Sequence, residues 1–371
     1  MERFIGFYTS LPFWAGAKVD IDSFCKYINS SQREEIEQYI SSLLSKEEFV
    51  YYHDGYTLKI CKDGMILLRI PAISNQIDSI YAEVDRNSLS SSENYIRFIK
   101  EVFVEWSKYI HYLNCIYLLL DSCLLKTGIK YFEISEISSK DIFGIAFDNG
   151  EELGMKISPS AIVFQAVRRF PLLCNCTNIF FRFQRKELPE SVFNLLNSNF
   201  STVYSNQKIV KVLAEVTKSL SEYKIANYPT SLVLSWFIIE SFVSNLCSNF
   251  LESKNQNVTY INDEGIEINC KRINSERKAF LIGRDYTIST ILNILEISGL
   301  IEFNTFKKID KIRQMRNKIV HADPKSPNNY DEKLRKNCQD AFEIITHFIE
   351  KEVGIVLAIN LDSPVNDLWV P

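Results

Sequence analysis

A chain of 371 residues is long enough for two ordinary domains. Its 46% hydrophobic, 13% aromatic and 24% charged residues are those of a folded globular protein, which excludes a disordered or fibrous one. A net charge of −4 excludes nucleic-acid binding by overall basicity, and nine scattered Cys with four His and no CxxC pair offer no zinc constellation. Cys174 and Cys176 are too close for ordinary disulfide partners, so the cysteines are expected to be reduced and mostly buried in a cytoplasmic protein. The start, Met1-Glu2-Arg3-Phe4, lacks a signal-peptide layout. The most apolar run, near Tyr109 to Leu125, is interrupted by His111, Asn114 and Asp121, so no membrane association is expected.

Residues 1 to about 30 read as aromatic and irregular. Ser30-Ser31, with Glu34 and Glu35 behind them, predict the start of a helix running to about Ser45. Phe49–Tyr52, Tyr56–Ile60 and Met65–Ile70 are strand-like, and Asp54-Gly55 and Asp63-Gly64 make them a three-stranded meander. One long helix is expected from about Asn94 to Leu125, with Ile96, Ile99, Val102, Phe103, Trp106, Ile110, Leu113 and Leu120 on its apolar stripe. Tyr131–Ser135, Ile142–Phe147 and Ile179–Phe183 read as further strands, and Arg168, Arg169, Arg182, Arg185 and Lys186 as separate surface charges in preference to an anion-contacting cluster. This half has no phosphate-cradling loop, nucleophile elbow or metal motif, which leaves an α+β recognition or regulatory domain over residues 1–200 with room for a trigger ligand or partner protein.

The polar stretches at 186–189 and 197–206 suggest the domain boundary. Residues 201–371 then read as an all-α bundle. Its helices are Lys208–Tyr223, Ser231–Leu251, Thr287–Ile297 closed by Gly299, a helix around 306–320, and a last helix with Leu334, Cys338, Ala341, Phe342, Ile345, Phe348 and Ile349 on one stripe, capped by Asn328-Asn329. Ser253–Asn269 is a loop or a hairpin turning at Asp263-Glu264-Gly265, and the tail from Val353 packs as an extended segment or stays mobile. The Ser231–Leu251 helix carries one charge, Glu240. Its other non-apolar residues are Ser241, Ser244, Asn245, Ser248 and Asn249, where a solvent face normally holds Lys and Glu, so this stripe is expected to face another protein surface or a cleft.

Charge is uneven along this half. From Lys271 to Lys318 there are eleven Lys and Arg against five Asp and Glu. Guidance of a polyanion and a solvated helix face explain that excess equally well. Phe306, Ile309, Ile312, Ile319 and Val320 recur at three- and four-residue steps, and Arg316 lies inside that stripe. A guanidinium there needs a partner, and Glu240, the lone charge of a second apolar helix, is the carboxylate expected to hold it. His321 ends the helix and Asp323-Pro324 stops it.

On generic grounds Arg316 is an ion-pair residue and His321 a cap. The full string, Arg316-Asn317, three residues, His321, with Ile319-Val320 and Ala322 around it, resembles the Arg-x4-His motif of the HEPN superfamily, particularly its Apea-like branch. The resemblance covers roughly the last 140 to 170 residues as one HEPN-like helical domain. It implies a metal-independent endoribonuclease without a cofactor, acting on RNA as a homodimer, with a role as a bacterial toxin or abortive-infection effector. Arg316 and His321 would be catalytic. Asn317 would bind phosphate or fix the His loop, and Lys311, Arg313 and Lys318 would contact flanking phosphates. Some members of the superfamily are inactive dimerisation or nucleotide-binding partners, which is the alternative. Residues five apart lie about 140° apart around an ideal helix, at roughly 100° per residue, so Arg316 and His321 converge only if the helix ends at Val320.

Overall fold

The structure is a computed structural model, and it describes residues 2–19, 42–83, 92–148, 151–157, 185–282, 287–321 and 332–362. It divides into two compact units. The first comprises residues 1–224 and 357–371, and the second residues 225–356. The boundary therefore lies at Lys224/Ile225, not near residue 200, and the end of the chain belongs to the first unit. The polar stretch at 197–206 is not a linker, because its apolar residues Phe200 and Val203 are buried.

The first unit is built on a six-stranded antiparallel sheet, order β3-β4-β5-β1-β6-β7. Its strands are β1 (Glu2–Phe7), β3 (Glu47–His53), β4 (Tyr56–Cys61), β5 (Ile66–Arg69), β6 (Phe143–Asp148) and β7 (Glu151–Ile157). A short β2 (Trp14–Ala15) pairs in parallel with β8 (Glu187–Leu188). The predicted meander is present, with Thr57 opposite Arg69 and Tyr52 opposite Thr57. The opening segment, expected to be irregular, supplies an interior strand instead. Phe4, Ile5 and Phe7 are all buried, and a strand covered on both faces has no apolar–polar alternation to announce it.

Among its described residues this unit also holds the helices α1 (Pro71–Glu83), α2 (Ser92–Ser107), α3 (Ile110–Lys126), α4 (Glu190–Tyr204) and α5 (Gln207–Lys224). The single helix expected over 94–125 is two helices. Three-residue backbone bonds, Lys108 N–H to Glu105 O and Tyr109 N–H to Trp106 O, tighten the chain before α3 starts. Tyr109 is fully buried there, its hydroxyl 2.8 Å from Ser74 Oγ and 3.0 Å from the Ile70 amide. The stripe of α2 is also offset: Phe98, Val102 and Trp106 are buried, whereas Ile96 and Ile99 are exposed. Gly144 on β6 lets Trp106 approach, since a Cβ there would lie 2.6 Å from the indole Cζ2.

Residues 131–135 form no strand. Side chains of α3 bond the backbone here instead: Tyr117 Oη donates to Glu133 O, and just beyond the segment Asn114 grips both the N–H and the C=O of Ile137. α3 is buried from Tyr112 to Leu124. At its end Asp121 lies beside the buried Lys224, whose ammonium donates to Asp362 O at 3.1 Å and sits 3.5 Å from Glu133 Oε2. The returning tail is held by Ala358 N–H on Ser122 Oγ and by Tyr223 Oη on Leu361 O. Arg185, expected on the surface, is buried with its guanidinium 4.8 Å from the Trp14 ring. Arg168, Arg169, Arg182, the expected strand 179–183 and the expected helix start at 30–41 lie outside the described residues.

The second unit is mostly helical: α6 (Tyr228–Ser253), α7 (Ser275–Ile282), α8 (Ile288–Ile297), α9 (Phe303–Val320) and α10 (Glu332–Val353). α6 packs against α8, α9 and α10, and α9 against α8 and α10. The segment after α6 is a hairpin, β9 (Asn257–Ile261) and β10 (Glu267–Lys271), turned by Asn262, whose Oδ1 accepts from the Glu264 and Ile266 amides. Thr287 caps α8, and Gly299, at φ +70, closes it. α6 is long and apolar enough to cross a membrane by length and composition, and half of its most apolar window is buried inside the protein. Among the described residues it, and not the 109–125 run, is the helix that meets this criterion. Of the six free cysteines among the described residues, five are buried and Cys270 is half-exposed.

Candidate functional site

α9 places the motif. Ile309 and Ile312 are buried and seat its first half against the unit. Beyond them the stripe runs out: Arg316 and Ile319 are half-buried and Val320 is 50% exposed. A helix whose apolar residues leave the core in its last two turns presents that end to its surroundings.

The helix ends at Val320. His321 is its C-cap, with φ −106 and ψ 9, and its N–H bonds to Asn317 O at 3.0 Å. The backbone thus departs from helical geometry at the residue where Arg316 and His321 need it to. The imidazole is exposed, and no hydrogen bond joins it to the guanidinium among the described residues.

Among the described residues Arg316 is held by two contacts. One of its terminal nitrogens donates to Asn317 Oδ1 at 3.1 Å, and its guanidinium carbon lies 5.7 Å from the centre of the Phe237 ring. Its Nε–H is buried with no hydrogen-bond partner among the described residues. Asn317 thus belongs to the site by touching Arg316. The expected Glu240–Arg316 ion pair is absent among the described residues. Glu240 stands one turn after Phe237 on α6 and is half-exposed. The expectation failed at its premise: neither charge is buried enough to require the other, and the ring covers the guanidinium instead.

The flanking cations differ in availability. Arg313 is engaged by Asp310, at 2.7 and 2.9 Å. Lys311 lies 3.8 Å from Asp340, which also binds Lys336 at 3.3 Å. Lys318 is exposed and forms no ion pair among the described residues. Lys308 to Glu343 and Lys278 to Glu252 remove further charge from the basic segment. Much of that local excess is therefore neutralised by acids on neighbouring elements, which a count along the sequence does not register.

The stripe of α6 is only partly covered among the described residues: Ser241, Asn245 and Asn249 are exposed, and Ser244 and Ser248 are half-buried. Phe237, 52% exposed, stands at its head. Sequence reasoning missed this residue, although its place four residues before Ser241 was the available signal. Among the described residues no three His, Cys, Asp or Glu side chains converge as a metal site. No family model, no curated protein and no solved structure matches the chain.

Proposed function

We propose that the protein is a metal-independent endoribonuclease whose second unit is a HEPN-like helical domain acting as a homodimer in the cytoplasm, with a role as a toxin or abortive-infection effector. The observation that carries this reading is the end of α9: the motif string occupies a helix terminus, and His321 is the exposed capping residue where the helical path stops. RNA brings its own nucleophile. The 2′-hydroxyl attacks the adjacent phosphorus, the 5′-oxygen leaves, and a cyclic phosphate or its 3′-phosphate hydrolysis product remains. The reaction needs a proton removed, a proton returned and charge on the phosphorane stabilised. Imidazole suits the proton transfers near neutral pH, and the planar guanidinium matches phosphate oxygens.

One copy supplies one His and one Arg at this place. Two copies supply an acid, a base and a positive clamp, and the apolar side chain that α9 leaves exposed at Val320 suits a two-fold contact. The second reading, a catalytically inactive dimerisation or nucleotide-binding module, is favoured by one observation: His321 makes no hydrogen bond to Arg316 within a single chain.

Incubation of the purified protein with total RNA in EDTA separates the two. Under the ribonuclease reading the wild type cleaves and leaves cyclic or 3′-phosphate ends, and His321→Ala lowers the rate by on the order of 100-fold or more. Cleavage abolished by EDTA and restored by magnesium rules out this mechanism.

A further inference from the structure

We infer that Phe237 is a base-stacking platform, and that the substrate at this site is therefore single-stranded RNA with an unpaired base next to the phosphate held by Arg316. The inference rests on the ribonuclease reading and goes beyond it by naming a residue and a substrate class.

Two observations carry it. Phe237 exposes half of a large apolar ring on α6, and the guanidinium of Arg316 lies 5.7 Å from the ring centre. In addition, the guanidinium over the ring gives a single hydrogen bond among the described residues, from one terminal nitrogen to Asn317 Oδ1, so its other terminal N–H groups can take an anionic acceptor. A ligand matching both must combine a flat apolar face with an anionic acceptor about one residue's length away. A nucleotide has this composition: the base lies on the ring and the phosphate takes the guanidinium. A base within a duplex has both faces occupied by its neighbours, so stacking on a side chain requires a strand whose bases can be splayed out.

The surroundings fit a strand better than an isolated nucleotide. Beyond Phe237, α6 presents Ser241, Asn245 and Asn249, which are exposed and neutral and can hydrogen-bond sugar and phosphate without sequence preference. Lys318, exposed on α9, adds a cation near the same helix end. Phe237 is a binding and positioning residue here. It makes or breaks no bond, so its loss is expected in substrate affinity, with the chemical step largely retained.

The test uses the full-length protein in EDTA with a fluorescein-labelled single-stranded oligoribonucleotide, and the same strand annealed to its complement. Binding is read by anisotropy in the His321→Ala background, where the probe stays whole, and cleavage is read in the wild-type background. Phe237→Leu is expected to weaken single-strand binding and raise KM by about tenfold, with kcat changed much less, and Phe237→Trp to restore both. The duplex is expected to bind more weakly and to be indifferent to the substitution. Unchanged single-strand binding by Phe237→Leu overturns the platform, while cleavage by the same protein leaves the ribonuclease reading intact. A Phe237→Leu protein with an altered oligomeric state in sedimentation shows the ring to be a subunit contact and also overturns it. Phe237-dependent binding without cleavage by the wild type supports the platform and overturns the ribonuclease reading. No binding and no cleavage overturn both.

Discussion

Asp121 is the residue whose chemistry the first unit changes most clearly. Burial at the end of α3 pushes its carboxyl from 3.8 up to about 7, Lys224 opposes the rise and Glu133 adds to it. An acid with a raised folded-state pKa binds its proton more tightly when folded. Its favourable contribution is therefore complete below about pH 4 and is lost as pH rises through about 7. Urea unfolding at about pH 5 and about pH 8 is expected to show Asp121→Asn gaining stability relative to wild type at the higher pH, by roughly 3 kcal/mol at most. Parallel behaviour of the two proteins would show the carboxylate ionised in both states. At this same scale the candidate site was only partly legible. The string from Arg316 to His321 could be read directly because a helix end is written locally, in the spacing and in Asp323-Pro324. The group that holds Arg316 could not. Beside Asn317 on α9 itself, that group lies on another helix, and the choice between Glu240 and Phe237 depends on how α6 is rotated against α9, which no local pattern encodes.

Elements announced by their own turns were the ones the sequence disclosed. Asp54-Gly55 and Asp63-Gly64 delimit β3, β4 and β5, and Thr287 and Gly299 bracket α8. Elements defined by distant partners were missed. β1 is a strand because β5 and β6 flank it, and residues 131–135 lie in a segment whose recorded backbone bonds go to side chains of α3, Tyr117 at Glu133 and Asn114 at Ile137. The break between α2 and α3 belongs to the same class. It contains no Gly or Pro, and its buried anchor, the Tyr109 hydroxyl, bonds to the start of α1. Tyr109→Phe keeps the ring and leaves the Ile70 amide and Ser74 hydroxyl without that partner. It is expected to cost about 1–3 kcal/mol in denaturant unfolding, with local loss of amide protection at residues 70–74. A loss confined to a few tenths of a kcal/mol would mean that packing alone sets the break.

On the scale of the whole molecule, the chain leaves the first unit at Lys224, builds the second, and returns at Leu357. The sequence concealed this because a linear boundary was sought where composition changes, whereas the returning segment is short and is defined by its contacts with Ser122, Tyr223 and Lys224. A chain truncated after Val356 strips an acceptor from Lys224 and from Tyr223. Hydrogen exchange is expected to show lost protection in α3 and α5, with α6 and α10 close to intact. Equal loss in both sets of helices would indicate that the units do not behave separately.

The return of the tail also fixes an order of assembly on the ribosome. Synthesis delivers residues 225–356 before the segment that completes the first unit. The helical unit thus has all of its own sequence while its companion still waits for residues 357–362. A nascent chain cut short in that interval carries a finished second unit on an unclosed first one, so residues 357–362 act as the closing stitch of a unit begun before the second one.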